Sequence, residues 1–170
     1  PPLRQLVETM LKVSQNLHAE LLLREAGRIT EGDASNDSGL RALGNFLKEH
    51  RATEQEWRAE DGSGLARNDL VTPRLILRVL EDEYKARGEA WLSLLPAGGS
   101  DGTLEHRLCC ISAGHGIWAK TGTLNRAVGL SGYAKGAEGV LGFSILVNNF
   151  SAPLDDVEQW VDKMALALLE

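Results

Sequence analysis

The sequence predicts an α+β fold: helices first, then a three-stranded antiparallel meander, then a helix that covers one face of the sheet. Three observations support this prediction. Apolar residues recur at helical spacing through the first half of the chain. Apolar runs of strand length occupy residues 117–148, and helical spacing returns over residues 154–168. The 170 residues suit one domain that is large enough to bury a hydrophobic core.

Four helices are predicted before the sheet. Their apolar stripes are Leu3, Leu6, Val7, Met10 and Leu11; Leu17, Leu21, Leu22 and Leu23; Leu40, Leu43, Phe46 and Leu47; and Leu75, Ile76, Val79 and Leu80. Ser14 or Asn16 is expected to cap the second helix, and Gly27 to end it. Residues 31–38 have turn composition and predict a surface loop. Thr72–Pro73 is typical of a helix start, so it is expected to open the fourth helix.

Three strands follow, at Ile117–Leu124, Ala127–Ala134 and Val140–Asn148, with a hairpin turn at Lys135–Gly139 between the last two. An amphipathic helix over residues 154–168 then covers the sheet. A three-stranded sheet leaves open edges, whose unpaired backbone groups would be better satisfied beside further strands that this chain does not contain. We therefore expect part of the fold to be missing from the chain.

Composition excludes several classes of function. A net charge of -6 argues against binding to duplex nucleic acid, because no phosphate-neutralising surface is available. No apolar run approaches the roughly 20 residues that cross a bilayer. The chain has no initiating methionine, which predicts a fragment or processed product and makes the missing signal peptide uninformative. The four histidines are dispersed, so no metal site is expected. The adjacent Cys109 and Cys110 are interpreted as small, partly buried hydrophobic residues.

Two short motifs could carry chemistry. Lys120-Thr121-Gly122-Thr123 lies on the first predicted strand, where a lysine that merely discourages edge aggregation is an equal explanation. Ser14-Gln15-Asn16 lies between the first two helices, where a helix cap would explain it as well. Neither motif settles the question alone. Glu20 and Glu25 are interpreted as part of an exposed helix face rather than an acid pair.

Short segments spread over nearly the whole chain change this balance. They are residues 10–20 (MLKVSQNLHAE), 61–68 (DGSGLARN), 72–73 (TP), 101–104 (DGTL), 120–124 (KTGTL), 130–133 (LSGY) and 143–149 (FSILVNN). In this order they resemble the class C low-molecular-mass penicillin-binding proteins, which are D-Ala-D-Ala carboxypeptidases and endopeptidases. The resemblance implies a β-lactamase/transpeptidase-like fold, of which residues 1–170 would be the C-terminal part.

The family works with the motifs S-x-x-K, S-x-N and K-T-G. The resemblance makes Lys120 the electrostatic anchor for the substrate's terminal carboxylate and a member of the proton network. It makes Thr121 and Thr123 hydroxyl donors to that carboxylate, with the Thr123 N–H as an oxyanion donor. Gly122 would let the substrate backbone approach the strand, since it has no side chain to block it.

The S-x-N motif matches Ser14 and Asn16. The resemblance makes Ser14 the proton relay to the leaving group and Asn16 the group that orients the substrate amide. No serine is followed three positions later by lysine, so the nucleophile motif is absent and is expected in a missing N-terminal half. A second departure is Ala66, where the family's glycine-rich loop often carries a serine.

The implied function is hydrolysis of D-alanyl bonds in peptidoglycan stem peptides by a serine acyl-enzyme, outside the cytoplasm, with covalent trapping by β-lactams. Neither a metal nor an organic cofactor is required for this chemistry, and no nucleic-acid partner is expected. Two alternatives stay open. One is a non-catalytic relative that binds peptidoglycan or acts as a scaffold, and the other is a serine β-lactamase of the same superfamily.

Overall fold

The structure, a computed structural model that describes residues 1–109 and 115–170, confirms the predicted α+β order. Its elements are α1 (Leu3–Val13), α2 (Asn16–Glu31), α3 (Asn36–Glu49), β1 (Trp57–Arg58), β2 (Leu70–Val71), α4 (Pro73–Arg87), α5 (Glu89–Leu92), β3 (Gly116–Leu124), β4 (Ala127–Gly136), β5 (Gly139–Asn148) and α6 (Leu154–Leu166). Short 3-10 helices span Gly102–Leu104 and Ala167–Leu169. Within the described residues, no helix is both long and apolar enough to cross a membrane.

The second helix does not end at Gly27, which corrects the prediction made from the sequence. Gly27 is buried inside α2, where α2 crosses α3. A Cβ atom on Gly27 would lie 2.5 Å from both the backbone nitrogen of Gly39 and the Oγ of Ser38. The glycine therefore allows two helix backbones to approach each other, and α2 continues until Gly32 adopts a left-handed conformation (φ 76°).

Side-chain oxygens cap two of the helices. Ser35 accepts a hydrogen bond from the Ser38 N–H at 3.2 Å at the start of α3. The loop predicted over residues 31–38 is therefore shorter than expected. Thr72 caps α4 as predicted, with Pro73 as the first helical residue.

The central sheet is an antiparallel meander in the order β3-β4-β5, and the three predicted strands are confirmed. The strands pair as far as Gly136 and Gly139, so the hairpin turn is shorter than predicted. One face of the sheet packs against α6. The buried residues of that interface include Ile117, Ala119, Val128, Leu130, Phe143, Val157, Val161 and Ala165.

The opposite face packs against α4 and α5. Tyr133 of β4 is fully buried there, together with Leu80 and Leu92. Its hydroxyl donates to the carbonyl oxygen of Leu80 at 2.6 Å and accepts from the Trp91 Nε1 at 2.9 Å. Burial raises the pKa of Tyr133 to about 12, so this hydroxyl stays protonated and fixes the sheet against the helices.

The predicted cysteine pair falls at the border of the described residues. Cys109 is exposed rather than partly buried, which corrects the expectation for it. Cys110 lies outside the described residues.

Candidate functional site

The outer edge of β3 is covered over only part of its length. Segment 96–98 covers the first part of this edge. The Ala119 N–H donates to the Pro96 carbonyl oxygen at 3.0 Å, and the Gly98 N–H donates to the Ile117 carbonyl oxygen at 2.9 Å. In antiparallel strands, alternate residues direct their N–H and C=O groups to the same edge. The N–H and C=O groups of Thr121 and Thr123 therefore face the same edge as those of Ala119. Beyond Ala119, no backbone group of the described residues bonds to this edge.

Lys120 lies where the covered part of the edge ends. Its ammonium donates to the Oγ of Ser14 at 2.9 Å and to the carbonyl oxygen of Thr121 at 2.7 Å. Burial lowers the pKa of Lys120, and within the described residues no carboxylate pairs with it. An ammonium has three N–H donors, so one remains for a ligand at this edge.

Ser14 reaches Lys120 from the end of α1. It terminates that helix in a left-handed conformation (φ 56°), with its N–H bonded to the Met10 carbonyl, and its side chain is exposed. The residue before α2 is Gln15, whose side chain makes no capping bond, so the expected capping of α2 by Ser14 or Asn16 is wrong. Asn16 is the exposed first residue of α2, and no hydrogen bond of the described residues joins it to Lys120.

The two threonines of the K-T-G-T segment direct their hydroxyls toward the α6 side. Thr121 donates to the Thr103 Oγ1 at 2.9 Å, and Thr123 donates to the Glu158 Oε1 at 3.4 Å. A substrate carboxylate that accepts from either hydroxyl would replace one of these bonds. Gly122, between them, is exposed, and a Cβ atom built on it meets no other atom within 4 Å. The space beside the strand is therefore open at this residue.

Glu20 has a structural role that was not predicted. Its Oε1 accepts from the backbone N–H groups of Gly62 and Ser63 at 3.2 and 3.0 Å, so it anchors the glycine-rich loop to α2. The interpretation of Glu20 as part of a solvated face is therefore wrong. Glu25 does lie on an exposed face, where it pairs with Arg28 at 2.6 Å. A contact across 42 residues leaves no signal in local sequence spacing.

The same loop is organised by Asp61. Burial opposes the ionisation of this carboxyl, but hydrogen bonds from the N–H groups of Gly64 and Ala66, at 2.6 and 2.8 Å, and from the Asp69 and Ser63 side chains together lower the pKa of Asp61. Burial and the charge of Asp61 raise the pKa of the neighbouring Asp69. Ala66 contributes a backbone N–H here, so this contact does not need the hydroxyl that the family often carries at that position.

Comparison with known proteins identifies a family model that covers almost the whole chain. The model of the D-Ala-D-Ala carboxypeptidase 3 (S13) family matches residues 1–168. A D-alanyl-D-alanine carboxypeptidase of Actinomadura sp. is 36% identical over an alignment of 174 positions, which covers 99% of this chain and 32% of the relative. The chain spans about a third of the length of the curated relatives it matches.

Solved structures agree on the fold. Penicillin-binding protein 4 (dacB) from Haemophilus influenzae, complexed with a β-lactam, superposes with a TM-score of 0.84 at 27% identity, covering 99% of this chain and 42% of that chain. The TLA-1 extended-spectrum β-lactamase superposes with a TM-score of 0.75 at 15% identity, covering 98% of this chain and 62% of that one. The second match shows the fold alone. The expected β-lactamase/transpeptidase-like fold is confirmed.

Proposed function

We propose a function from one premise: this chain belongs to the D-Ala-D-Ala carboxypeptidase 3 (S13) family. The proposed function is serine-type D-alanyl-D-alanine carboxypeptidase or endopeptidase action on peptidoglycan stem peptides. This chain would be the C-terminal part of the catalytic domain and would supply S-x-N and K-T-G, while an S-x-x-K segment joined to it would supply the nucleophile. Because peptidoglycan lies outside the cytoplasm, the enzyme would act there, and β-lactams would acylate the same serine.

One observation carries this proposal: the Lys120 ammonium contacts the Ser14 hydroxyl at 2.9 Å across 106 residues of sequence. An edge lysine that only discourages aggregation gains nothing from such a contact, because its charge acts best when it is solvated. A helix cap bonds to backbone N–H groups of its own helix, which Ser14 does not do for α2. The contact instead brings together the two motifs to which the proposed acyl transfer assigns a role.

The hydrogen-bond direction suits Ser14 for proton relay. Since the ammonium of Lys120 donates to the Ser14 Oγ, the Ser14 O–H is free to donate elsewhere. As the S-x-x-K serine attacks the penultimate D-alanine carbonyl and forms a C–O bond, the lysine of the same motif would take the hydroxyl proton. Collapse of the tetrahedral intermediate breaks the peptide C–N bond, and the leaving amine would take its proton from Ser14 Oγ. Ser14 would regain a proton from Lys120, which in turn would be reprotonated by the S-x-x-K lysine. Water would then hydrolyse the acyl-enzyme.

The charge of Lys120 would anchor the substrate. A carboxylate at 4 Å from an ammonium gains about 4 kcal/mol at an effective dielectric constant of about 20. Lys120 is partly desolvated and lacks an internal carboxylate partner among the described residues, so an incoming carboxylate would also offset its burial. The N–H of Thr123, on the open edge, is the proposed oxyanion donor, and Asn16 is proposed to orient the substrate amide from α2.

The test uses a protein that joins this chain to its S-x-x-K segment and measures labelling by a fluorescent penicillin. We expect Lys120→Ala to slow acylation by about a hundredfold or more, because one electrostatic stabiliser is lost. Ser14→Ala should slow release of D-alanine from a stem-peptide substrate. Lys85→Ala is the matched control, since Lys85 is exposed on α4 and its ion pair with Glu81 is long, at 3.9 Å.

The outcomes separate the alternatives. Acylation of Lys120→Ala at the wild-type rate would reject the role of Lys120. No labelling of the wild type would favour a non-catalytic relative that binds peptidoglycan. Rapid, repeated hydrolysis of a chromogenic cephalosporin would favour a β-lactamase over a carboxypeptidase, which a β-lactam would hold as a slow acyl-enzyme.

A further inference from the structure

A polar bridge joins the end of α1 to β3. This α1–β3 brace consists of Lys12, Asp101, Gly102 and Thr103. The ammonium of Lys12 donates to the Asp101 Oδ2 at 2.6 Å and to the Leu95 carbonyl oxygen at 2.7 Å. The other oxygen of Asp101 accepts from the Ala97 N–H at 2.9 Å. The Lys12 side chain is 16% exposed and the Asp101 side chain 44% exposed, so the pair is shielded from water on the lysine side only.

The middle of the brace, Gly102 and Thr103, contacts both α1 and β3. Gly102 has a φ of 58°, and a Cβ atom on it would lie 2.4 Å from the Lys12 carbonyl oxygen, so only glycine allows this contact with α1. The next residue, Thr103, accepts a hydrogen bond from the Thr121 hydroxyl of β3 at 2.9 Å. The 3-10 turn is therefore held between the last turn of α1 and the strand that carries Lys120.

The brace also fixes the residues before Lys120. Ala97, which Asp101 holds, pairs with Trp118 of β3, and the neighbouring Pro96 carbonyl accepts from the Ala119 N–H. Contacts of the brace thus reach β3 on both sides of Lys120. By contrast, α1 buries none of its residues fully, so apolar packing alone fixes this helix weakly.

We infer that the α1–β3 brace sets the distance between Ser14 and Lys120, and that Asp101 is the positioning residue on which it depends. The inference rests on the proposed function and deepens it. Ser14 follows Lys12 by two residues, so a shift of the last turn of α1 moves the Ser14 hydroxyl. A displacement of about 1 Å in a catalytic group can lower a rate about a hundredfold. Asp101 contacts no reacting atom and acts only through Ser14.

The test is a mutant cycle on D-alanine release in the protein that carries the S-x-x-K serine. Asp101→Asn removes the charge but keeps an oxygen for the Ala97 N–H, and we expect it to slow release roughly tenfold to a hundredfold. In a Ser14→Ala background, Asp101→Asn should cause no further loss beyond about twofold, because the relay it positions is already gone. The matched control is Glu89→Gln, which breaks an exposed ion pair of 2.7 Å with Lys135 and should not change the rate.

Two results would overturn the inference. One is release by Asp101→Asn at the wild-type rate. The other is a full multiplicative loss in the Ser14→Ala background, which would mean that Asp101 affects stability rather than Ser14. If Asp101→Asn does not fold, Lys12→Met breaks the same pair from α1, and the same dependence on Ser14 is required. A wild type that neither binds penicillin covalently nor releases D-alanine would overturn the proposed function itself.

Discussion

Two glycines of the central sheet, Gly122 and Gly132, should respond differently to substitution by alanine. Comparing them distinguishes an effect on the proposed site from an effect on the stability of the sheet. Gly122 lies on β3, and a Cβ atom there meets nothing within 4 Å. Gly132 lies on β4 opposite Ala119, and a Cβ atom there would lie 2.1 Å from the Trp118 carbonyl oxygen and 2.6 Å from the Ala119 Cα. Replacing each glycine by alanine adds one methyl group to the same sheet.

The magnitudes follow from these distances. Carbon and carbonyl oxygen approach each other to about 3.3 Å, so Gly132→Ala must move β3 by about 1 Å. Overpacking of this kind costs roughly 1–3 kcal/mol, and the displaced ladder bonds cost about 1 kcal/mol each. Gly122→Ala meets no obstacle and should raise the free energy of unfolding by about 0.5 kcal/mol, because alanine restricts the unfolded chain.

The assay pairs urea unfolding of this chain with penicillin acylation of the protein that carries the S-x-x-K serine. Gly132→Ala should lower both the unfolding free energy and the acylation rate, since β3 carries Lys120. Gly122→Ala should slightly raise the unfolding free energy but lower the acylation rate roughly tenfold or more, because its methyl group occupies the space proposed for the substrate. Acylation of Gly122→Ala at the wild-type rate would refute the substrate position proposed beside Gly122. Wild-type stability of Gly132→Ala would refute the close packing of β4 against β3 at Gly132.

Three further predictions concern pH and stability. Burial lowers the pKa of Lys120 from 10.5, so the unfolding free energy should rise with pH between its folded pKa and 10.5, by at most about 1.4 kcal/mol per pH unit. Urea titrations of Lys120→Met should lack that rise, and identical curves would contradict the desolvation. Tyr133→Phe leaves the Leu80 carbonyl without its donor and should cost about 1–3 kcal/mol in urea unfolding; a cost below about 0.5 kcal/mol would contradict the buried bond. The Arg78 guanidinium, paired with Glu56 at 2.7 Å, lowers the pKa of Glu56 to about 2, so the stabilisation from this pair is present above pH 4.5 and lost as the pH falls toward 2. Glu56→Gln should show a shallower acid transition by circular dichroism. An unchanged transition would show that the Glu56–Arg78 pair does not contribute to stability in acid.

The strands could be predicted from the sequence because their signal is local. Apolar runs of strand length define β3 to β5, and the structure changes their ends by only a few residues. Gly27 misled for the opposite reason. Glycine often marks the end of a helix, but at this position the missing side chain lets α2 pack closely against Gly39 of α3. Such a contact depends on tertiary packing, which no local pattern encodes.

The site divides in the same way. Lys120 and Ser14 could be selected from the sequence because a family resemblance spread over the chain assigns roles to two short motifs that are ambiguous alone. Asp101 appeared only as part of a resembling segment, because its partner Lys12 lies 89 residues away and a lysine–aspartate pair has no sequence signature. The sequence thus identifies the groups proposed to react, while the structure identifies the contacts that hold them in place.

Among the described residues, no backbone group covers the edge of β3 beyond Ala119. An unpaired edge invites aggregation, and an edge lysine is a common defence. Such a lysine works by staying hydrated, with its pKa near the ordinary value. Lys120 is instead partly buried, has a lowered pKa, and directs its ammonium to the Ser14 hydroxyl. The edge therefore combines a desolvated cation with backbone N–H groups to which no backbone group of the described residues bonds. This combination supports the proposed substrate, because an extended peptide that ends in a carboxylate would both pair with the strand and neutralise the charge.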